Sequence, residues 1–270
     1  CGIAGIVDYN TDPKRSEIMS MLDIISYRGP DSYGTLFENS IAIGMRRLAI
    51  IDVSSGNQPM FSQDKSLAVI FNGEIYNYIE LRSELLKSGY NFNTNSDTEV
   101  IVNAYHKSKV GMFDQLNGMF SFAIYDKLDQ SILICRDRLG IKPLYYYYDG
   151  TRFIFSSEIK SILTNNISTK LDEQSINDYL LIGYVPRQNT IYKNIKKLLP
   201  GHYLKINKDG LNIKKWWSLK RNFSYGKDRK KVSSDELINI FDDSVKLRMR
   251  SDVPVGTFLS GGVDLSLIHI

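Results

Sequence analysis

Short apolar runs separated by polar turns recur along the first 155 residues, and this spacing constrains the fold more than any other feature. Helical spacing of apolar residues over 16–25, 78–88 and 96–107 predicts three helices, with Ser96 as an N-cap. Helices inserted between groups of short strands indicate a layered α+β domain with antiparallel sheets, not repeating βαβ units. The runs with strand character are the opening CGIAGIVDY and residues 33–37, 41–45, 66–71, 119–125, 131–136, 143–148 and 152–155.

Composition places few limits on this fold. The chain has 270 residues, 43% of them hydrophobic, which is enough to bury a core without disulfides. Of its two cysteines, Cys135 lies in the apolar run SILIC, which predicts a buried strand, so a disulfide between Cys1 and Cys135 is not expected. No apolar run is long enough to span a membrane and no signal peptide is evident, so a cytoplasmic location is expected.

A basic segment, residues 193–231, holds 13 Lys and Arg against 2 Asp, a local net charge of +11. Such a segment can bind nucleic acid. Here the basic residues alternate with apolar ones on both sides of an Asp209-Gly210 turn, a pattern typical of two solvated strands. We therefore expect a solvated face and no nucleic-acid partner.

A change in composition marks a domain boundary. Residues 221–235 are polar and contain Gly and Ser, which predicts a linker. A helix is predicted over 236–249, and VPVGTFLSGGVD reads as a buried strand that enters a Gly-rich loop. The sequence therefore predicts a first domain over 1–220 and the start of a second domain over 236–270.

Cys1 combines two reactive groups in one residue if nothing precedes it. An α-amine has a reference pKa of roughly 7.7–8.0, so part of it is neutral at physiological pH. A neutral α-amine can take the proton of the thiol, directly or through water. One residue can thus supply a nucleophile and its base.

Seven motifs stand in order along the chain: CGIAGI at 1–6, RGPD at 28–31, RRLAIID at 46–52, FNGEIYN at 71–77, SDTEV at 96–100, FSFAIYD at 120–126 and RDRLGIKPLYY at 136–146. The series resembles the class II glutamine amidotransferases, and among them most the asparagine synthetases. The resemblance implies a four-layer α-β-β-α domain with an N-terminal nucleophile, followed by the first elements of an α/β ATP-pyrophosphatase domain.

The same resemblance implies roles for three residues in glutamine hydrolysis. Cys1 would attack the side-chain amide and form a thioester. The Asn72 side chain and the Gly73 backbone N–H would form the oxyanion hole. The alternative for Asn72-Gly73 is an ordinary hairpin turn at the end of the strand SLAVIF.

Three further residues are implied to bind the ends of glutamine. Arg47 matches the arginine that pairs with the α-carboxylate, Asp97 matches the acid that binds the α-ammonium, and Glu74 is a weaker candidate for the same end. A salt bridge or a helix cap is the alternative for Arg47 and Asp97. Only the family pattern assigns this role to Arg47 and not to its neighbour Arg46. In the RGPD motif, Arg28 and Asp31 are expected to hold a loop, and Tyr27 stands where many relatives have histidine.

The C-terminal stretch VGTFLSGGVDLS resembles the pyrophosphate-binding loop of ATP pyrophosphatases, with Leu265 where the motif expects serine. The resemblance implies ATP and Mg²⁺ as co-substrate in a full-length enzyme, and no resident metal. Since the sequence given stops at Ile270, we expect it to lack the aspartate site and to retain at most the glutaminase step. The implied ATP-binding residues are Leu259, Ser260, Gly261, Gly262 and Asp264.

The sequence therefore favours a glutamine-dependent asparagine synthetase, with glutamine, aspartate and ATP as its small-molecule partners. Two alternatives stay open: amidation of another carboxylate, such as that of a surface-polysaccharide sugar, and a catalytically silent glutamine-binding module. No membrane or nucleic-acid partner is expected, and a homodimer is left open.

Overall fold

A computed structural model describes residues 1–219 and 233–257 of the chain. Its strands are β1 (Gly2–Asp8), β2 (Ser32–Glu38), β3 (Ile41–Arg47), β4 (Met60–Phe61), β5 (Leu67–Ile75), β6 (Gly118–Asp126), β7 (Ser131–Arg136), β8 (Tyr145–Tyr148), β9 (Arg152–Ser156), β10 (Ile195–Lys197), β11 (His202–Asn207) and β12 (Gly210–Lys215). Its α-helices are α1 (Arg15–Asp23), α2 (Tyr78–Lys87), α3 (Asp97–Ser108), α4 (Ile159–Leu163), α5 (Glu173–Ile182) and α6 (Ser234–Arg248).

The strands form two sheets of six. The first sheet has the order β10-β8-β9-β1-β3-β2, and the second has the order β12-β11-β7-β6-β5-β4. Every strand pair in both sheets is antiparallel. The predicted antiparallel α+β class is therefore confirmed.

The two sheets pack face to face, because alternate residues of each strand point into the layer between them. Ile43 of the first sheet and Ile70 and Ile134 of the second belong to one buried cluster in this layer. On its outer face the first sheet packs against α1 and α4, and the second packs against α2 and α3. The layers follow the order α-β-β-α, as the family resemblance implied.

Most predicted elements agree with the structure to within a few residues. Ser96 is the N-cap of α3, since its hydroxyl accepts a hydrogen bond from the Thr98 N–H at 3.1 Å. The strands on either side of Asp209-Gly210 are β11 and β12, which pair directly. Sequence patterns gave no sign of α4, α5 or β10, which lie between residues 159 and 197.

Two local predictions were wrong. The strand SLAVIF does not end at Asn72-Gly73, since β5 runs on to Ile75 and pairs with β6 over its whole length. The described residues of VPVGTFLSGGVD, up to Thr257, form no strand, and Val255 is exposed. A parallel strand needs neighbouring strands to pair with, and the described part of the chain offers residues 254–257 none.

The helix predicted over 236–249 is present and begins slightly earlier, at Ser234, with Ser233 as its N-cap. Within the described ranges, no helix has both the length and the apolar character needed to cross a membrane. Cys1 and Cys135 are both free thiols, and Cys135 is fully buried on β7, as expected.

Truncation of Ile134, which is fully buried between the sheets, tests the four-layer packing. Ile134→Ala leaves a cavity that the two sheets cannot close, so the free energy of unfolding should fall by about 2–5 kcal/mol. Urea denaturation measures this change. Leu128→Ala is the control, because Leu128 is 83% exposed, and its effect should stay within about 0.5 kcal/mol. Equal effects of the two substitutions would contradict the assignment of Ile134 to the inter-sheet layer.

Candidate active site

The site is built on one open edge of β5. β4 pairs only with Ala68 and Val69, so the rest of this edge has no strand neighbour in the described part of the chain. Backbone N–H groups on this edge find side-chain acceptors instead. The Phe71 N–H donates to Gln58 Oε1 at 2.6 Å, and the Ile75 N–H donates to Asp97 Oδ2 at 3.0 Å.

Gly73 lies between these two residues and points its N–H toward the same side. It lies opposite Phe120 of β6, but both backbone groups of Phe120 bond to Asp137 instead. The Phe120 N–H donates to the Asp137 carboxylate at 3.2 Å, and the Phe120 C=O accepts from the Asp137 N–H at 2.8 Å. In an antiparallel ladder, such a pair is the non-hydrogen-bonded kind, so the Gly73 N–H points away from β6. It therefore points into the cleft at the edge of β5.

The lack of a side chain at Gly73 is a packing requirement. A Cβ atom at this position would lie 2.1 Å from the carbonyl oxygen of Met119 and 2.8 Å from the Phe120 Cα. Such contacts would push β6 away from β5. The absence of a side chain at Gly73 thus permits the close pairing of β5 with β6, which continues past the Asn-Gly pair to Ile75.

The Asn72 side chain points to the face of β5 that lies between the two sheets. Its side chain shares this face with Ile70, is 1% exposed and lines the cleft. Among the described residues, its Nδ2 group has no hydrogen-bond partner. A buried donor without an acceptor costs roughly 1–3 kcal/mol, so this amide is held ready for an acceptor that the protein itself does not supply.

Cys1 lies on the side of the first sheet and faces the same inter-sheet layer as Asn72. Its side chain packs against the same inter-sheet cluster as Ile3, two residues further along the chain. The Leu48 N–H donates to Cys1 Sγ at 3.3 Å, and the thiol donates to the Leu48 carbonyl at 3.5 Å, so Leu48 fixes the position of the sulfur. Arg28 Nε donates to the Cys1 carbonyl at 2.9 Å and fixes the backbone of the residue.

The α-amine of Cys1 is poised to act as a base. Burial, together with the positive charges of Arg28 and Lys142, lowers its pKa to about 5. At neutral pH the amine is therefore uncharged and can accept a proton.

Arg47 and Arg46 point to opposite faces of β3. Arg46 lies on the side of α1, where Nε donates to the Leu22 carbonyl at 3.1 Å and the guanidinium stacks on the Tyr33 ring. Arg47 shares the face of Ile43 and Met45 and lines the cleft. Strand alternation therefore places Arg47, and not its neighbour, in the site.

A loop that follows β3 holds the Arg47 guanidinium, and we call residues 48–56 the arginine loop. Nη1 donates to the Val53 carbonyl at 3.1 Å, and Nη2 donates to the carbonyls of Ile51 at 3.1 Å and Asp52 at 2.6 Å. Gly56 lets the guanidinium come close, since a Cβ atom there would lie 2.2 Å from Nη2.

Asp52 connects the arginine loop to α3. Its backbone has a φ of 53°, in the left-handed region that few non-glycine residues adopt. Its carboxylate accepts hydrogen bonds from the Ser55 hydroxyl at 2.6 Å and from the Asn95 N–H at 2.7 Å. Burial opposes the charge of this carboxylate, but these bonds and the Arg47 charge lower its pKa overall.

Asp97 is the first residue of α3 and is 5% exposed. Burial raises the pKa of its carboxyl group to about 7, and the negative charge of Glu74 adds to this, although the Ile75 N–H works against it. A carboxyl group with this pKa is half-charged near neutrality. A cation bound in the cleft would complete its ionisation.

Two polar residues that line the cleft, Lys142 and Gln58, were not singled out from the sequence. Lys142 lines it, and burial lowers the pKa of the Lys142 ammonium while the charge of Glu74 opposes this effect. Buried Asp137 shapes the Lys142 loop by accepting hydrogen bonds from three N–H groups, those of Leu139, Ile141 and Lys142, each at 3.0 Å. The only available signal was the position of Lys142 inside the RDRLGIKPLYY motif.

Gln58 is the other residue that sequence reasoning missed. Besides capping the Phe71 N–H, it donates from Nε2 to Thr98 Oγ1 at 3.1 Å, so it joins the edge of β5 to α3. No local pattern around Gln58 predicts either contact.

The structure brings all six predicted glutamine-site residues into one cleft: Cys1, Arg47, Asn72, Gly73, Glu74 and Asp97. In the RGPD motif, Asp31 accepts a hydrogen bond from the Ala49 N–H at 2.8 Å. Just before the motif, the Tyr27 hydroxyl donates to Glu158. The predicted ATP-binding residues, Leu259, Ser260, Gly261, Gly262 and Asp264, lie outside the described residues. Within 1–219 and 233–257, no group of three or more His, Cys, Asp or Glu side chains could hold a metal ion.

Two families of known proteins match parts of the chain. Residues 1–217 match the glutamine amidotransferase domain family, and residues 236–270 match the asparagine synthase family. Asparagine synthetase [glutamine-hydrolyzing] 1 of Bacillus subtilis is 40% identical over 99% of this chain and 43% of its own length. The putative asparagine synthetase [glutamine-hydrolyzing] 2 of Methanocaldococcus jannaschii is also 40% identical, over 99% of this chain and 56% of its own length.

The chain therefore spans about half the length of the curated relatives it matches. Two solved structures share its fold at 20% identity, each over 80% of this chain and 49% of its own. They are the glutamine phosphoribosylpyrophosphate amidotransferase from B. subtilis, with a TM-score of 0.60, and an allosteric regulatory enzyme of purine biosynthesis, with a TM-score of 0.61.

Asp97→Asn should stabilise the unliganded protein in a pH-dependent way. The folded-state pKa of about 7 lies above the roughly 3.9 of an unfolded chain, so wild-type stability falls as pH rises between these values. The neutral amide avoids this loss and still accepts from the Ile75 N–H. At pH 8 the variant should gain on the order of 2–4 kcal/mol in the free energy of unfolding, and near pH 4 almost nothing.

Urea denaturation of both proteins across this pH range measures the gain. Asp12→Asn is the control, because Asp12 is exposed and its replacement should change stability by no more than about 0.5 kcal/mol. A gain that does not depend on pH would contradict the raised pKa of Asp97.

Proposed function

The chain belongs to the glutamine amidotransferase family, and from that membership we propose that its first domain hydrolyses glutamine to glutamate and ammonia, with Cys1 as the nucleophile. One observation carries the proposal: the unpartnered, buried Asn72 amide lies in the same cleft as the Cys1 thiol. An amide donor held without an acceptor beside a nucleophile suits a reaction in which an oxyanion forms.

The reaction needs no group beyond the cleft, the substrate and water. The neutral Cys1 amine takes the thiol proton, and the thiolate attacks the side-chain amide carbon of glutamine. The Asn72 Nδ2 and the Gly73 N–H donate to the oxyanion that forms. The amine then returns its proton to the leaving nitrogen, ammonia departs and a thioester remains. Water, deprotonated by the same amine, attacks the thioester, and glutamate leaves as the thiol regains its proton.

The charged groups of the cleft match the two ends of free glutamine. The Arg47 guanidinium pairs with the α-carboxylate, and the arginine loop keeps it in place through three carbonyl groups. Asp97 and Glu74 bind the α-ammonium. Lys142 balances the charge of Glu74 and helps to keep the Cys1 amine neutral.

We extend the proposal to the longer protein that the match over residues 236–270 implies. There the ammonia would amidate an aspartate that ATP, with Mg²⁺, has activated, and the loop from Leu259 to Asp264 would contact the nucleotide. Amidation of another carboxylate is the alternative, and assays of ammonia-dependent AMP release with aspartate or other acids separate the two. The proposed domains remain 1–220, a linker over 221–235, and 236–270.

The setting of this chemistry is also proposed. A cytoplasmic location suits a catalytic thiol that must stay reduced. A homodimer is one assembly to test by light scattering.

Labelling of Cys1 tests the nucleophile. A chloroketone or diazoketone analogue of glutamine should label Cys1 stoichiometrically, and Cys1→Ala should abolish glutamine hydrolysis with little loss of fold. Peptide mass spectrometry locates the label. Cys135→Ala is the matched control and should keep both labelling and activity, because the Cys135 thiol is buried and its pKa is raised well above the usual value by burial.

A variant that retains a residue ahead of Cys1 tests the amine. The extra peptide bond removes the base, so turnover should be lost even though the thiol remains. Normal turnover by this variant, with the extension confirmed by intact mass, would exclude the amine as the base.

The pH dependence of kcat/KM tests the role of Asp97. This ratio reports on ionisations of the free enzyme. It should fall as pH drops through about 7, because protonated Asp97 cannot pair with the ammonium of glutamine. A second fall should follow near pH 5, where the Cys1 amine becomes protonated.

In Asp97→Asn the fall near pH 7 should disappear, and KM at pH 8 should rise roughly 10–100-fold, since one charge-assisted bond is lost. Steady-state kinetics with glutamate detection provide both values. An unchanged KM would show that Asp97 serves only to begin α3.

A further inference from the structure

The segment that follows α6 returns to the first domain, although α6 itself buries none of its residues. At the end of α6, the Arg248 guanidinium lies over the Tyr76 ring, 4.7 Å from its centroid, and beyond the helix Arg250 and Asp252 make further contacts. Arg250 forms a two-pronged ion pair with Glu80 of α2, at 2.5 and 2.6 Å, and also donates to the Tyr76 carbonyl at 2.5 Å. Tyr76 and Glu80 lie just beyond the open edge of β5 that carries the cleft.

Asp252 binds the arginine loop at two points. The Asp252 N–H donates to the Ile50 carbonyl at 3.0 Å. In return, the Asp52 N–H donates to Asp252 Oδ2 at 2.7 Å. The second of these bonds joins residues 200 positions apart in the sequence.

The Asp252 carboxylate supports the strained point of this loop. Asp52 has a left-handed backbone, with a φ of 53°, and the surroundings must offset the cost of this conformation. Its carbonyl holds Arg47 Nη2, and its carboxylate holds the Asn95 N–H ahead of Asp97. Without Asp252, the partly buried Asp52 N–H would lose its acceptor. The left-handed turn at Asp52 would then lose the hydrogen bond that supports it.

We propose that Arg250 and Asp252 are positioning residues for glutamine: this segment, at the entrance to the second domain, holds the arginine loop in the shape that presents Arg47 to the substrate carboxylate. The inference rests on the proposed glutaminase function. Neither residue lines the cleft, so both act through Arg47 and the end of β5. Glutamine affinity in the first domain then depends on how the second domain begins.

Substitution of Asp252 in the 270-residue chain tests the proposal. Asp252→Ala removes the acceptor, so KM for glutamine should rise about tenfold while kcat stays within about twofold. Asp252→Asn keeps an oxygen acceptor of the same shape and should restore KM to within about threefold of wild type. Asp243→Ala, at an exposed site on α6, is the matched control and should leave both constants unchanged.

Hydrogen exchange gives a readout that needs no substrate. In Asp252→Ala, peptides from the arginine loop should exchange faster, while those from β6 and β7 should not change if the domain remains folded. A KM unchanged in Asp252→Ala, or raised equally in Asp252→Asn, would overturn the positioning role and leave the glutaminase proposal intact. A wild-type chain with a terminal Cys1 that fails to hydrolyse glutamine would instead overturn the function, and this inference with it.

Discussion

The open edge of β5 is the constraint on which the cleft depends. A strand edge inside a protein presents N–H groups that must find acceptors. Because β4 is only two residues long, Phe71, Gly73 and Ile75 cannot satisfy theirs within the sheet. Gln58 and Asp97 serve the two outer positions, and the middle position faces the cleft. The shortness of one strand thus positions two cleft side chains and leaves one backbone donor available for a reaction.

Burial in the same region favours the uncharged form of ionisable groups. It lowers the pKa of the Cys1 amine and raises that of Asp97, so near physiological pH the amine is uncharged and the Asp97 carboxyl group is only partly ionised. The unpartnered Asn72 amide adds a further cost to the folded state. Such costs are typical of functional sites, and the well-packed inter-sheet layer offsets them.

Sequence patterns predicted the secondary-structure elements better than they predicted the contacts between them. Alternation identified the strands, and Ser96 marked the start of α3, because both signals are local. Asn72-Gly73 was wrongly expected at a strand end, since an Asn-Gly pair also suits a hairpin, and only the long-range pairing of β5 with β6 decides between the two structures. The site residues came from family motifs, and their meeting in one cleft requires the fold. Gln58 and Lys142 were missed because their partners are distant in the sequence.

The opposite orientations of Arg46 and Arg47 have an evolutionary consequence. Any insertion or deletion of one residue within β3 would exchange the two side chains between the faces of the sheet and carry the apolar residues of the strand with them. The guanidinium of the cleft would then point toward α1, and a different side chain would replace it. We therefore expect length variation among relatives to fall outside β3, in the turn before the strand, where it would leave this alternation unchanged.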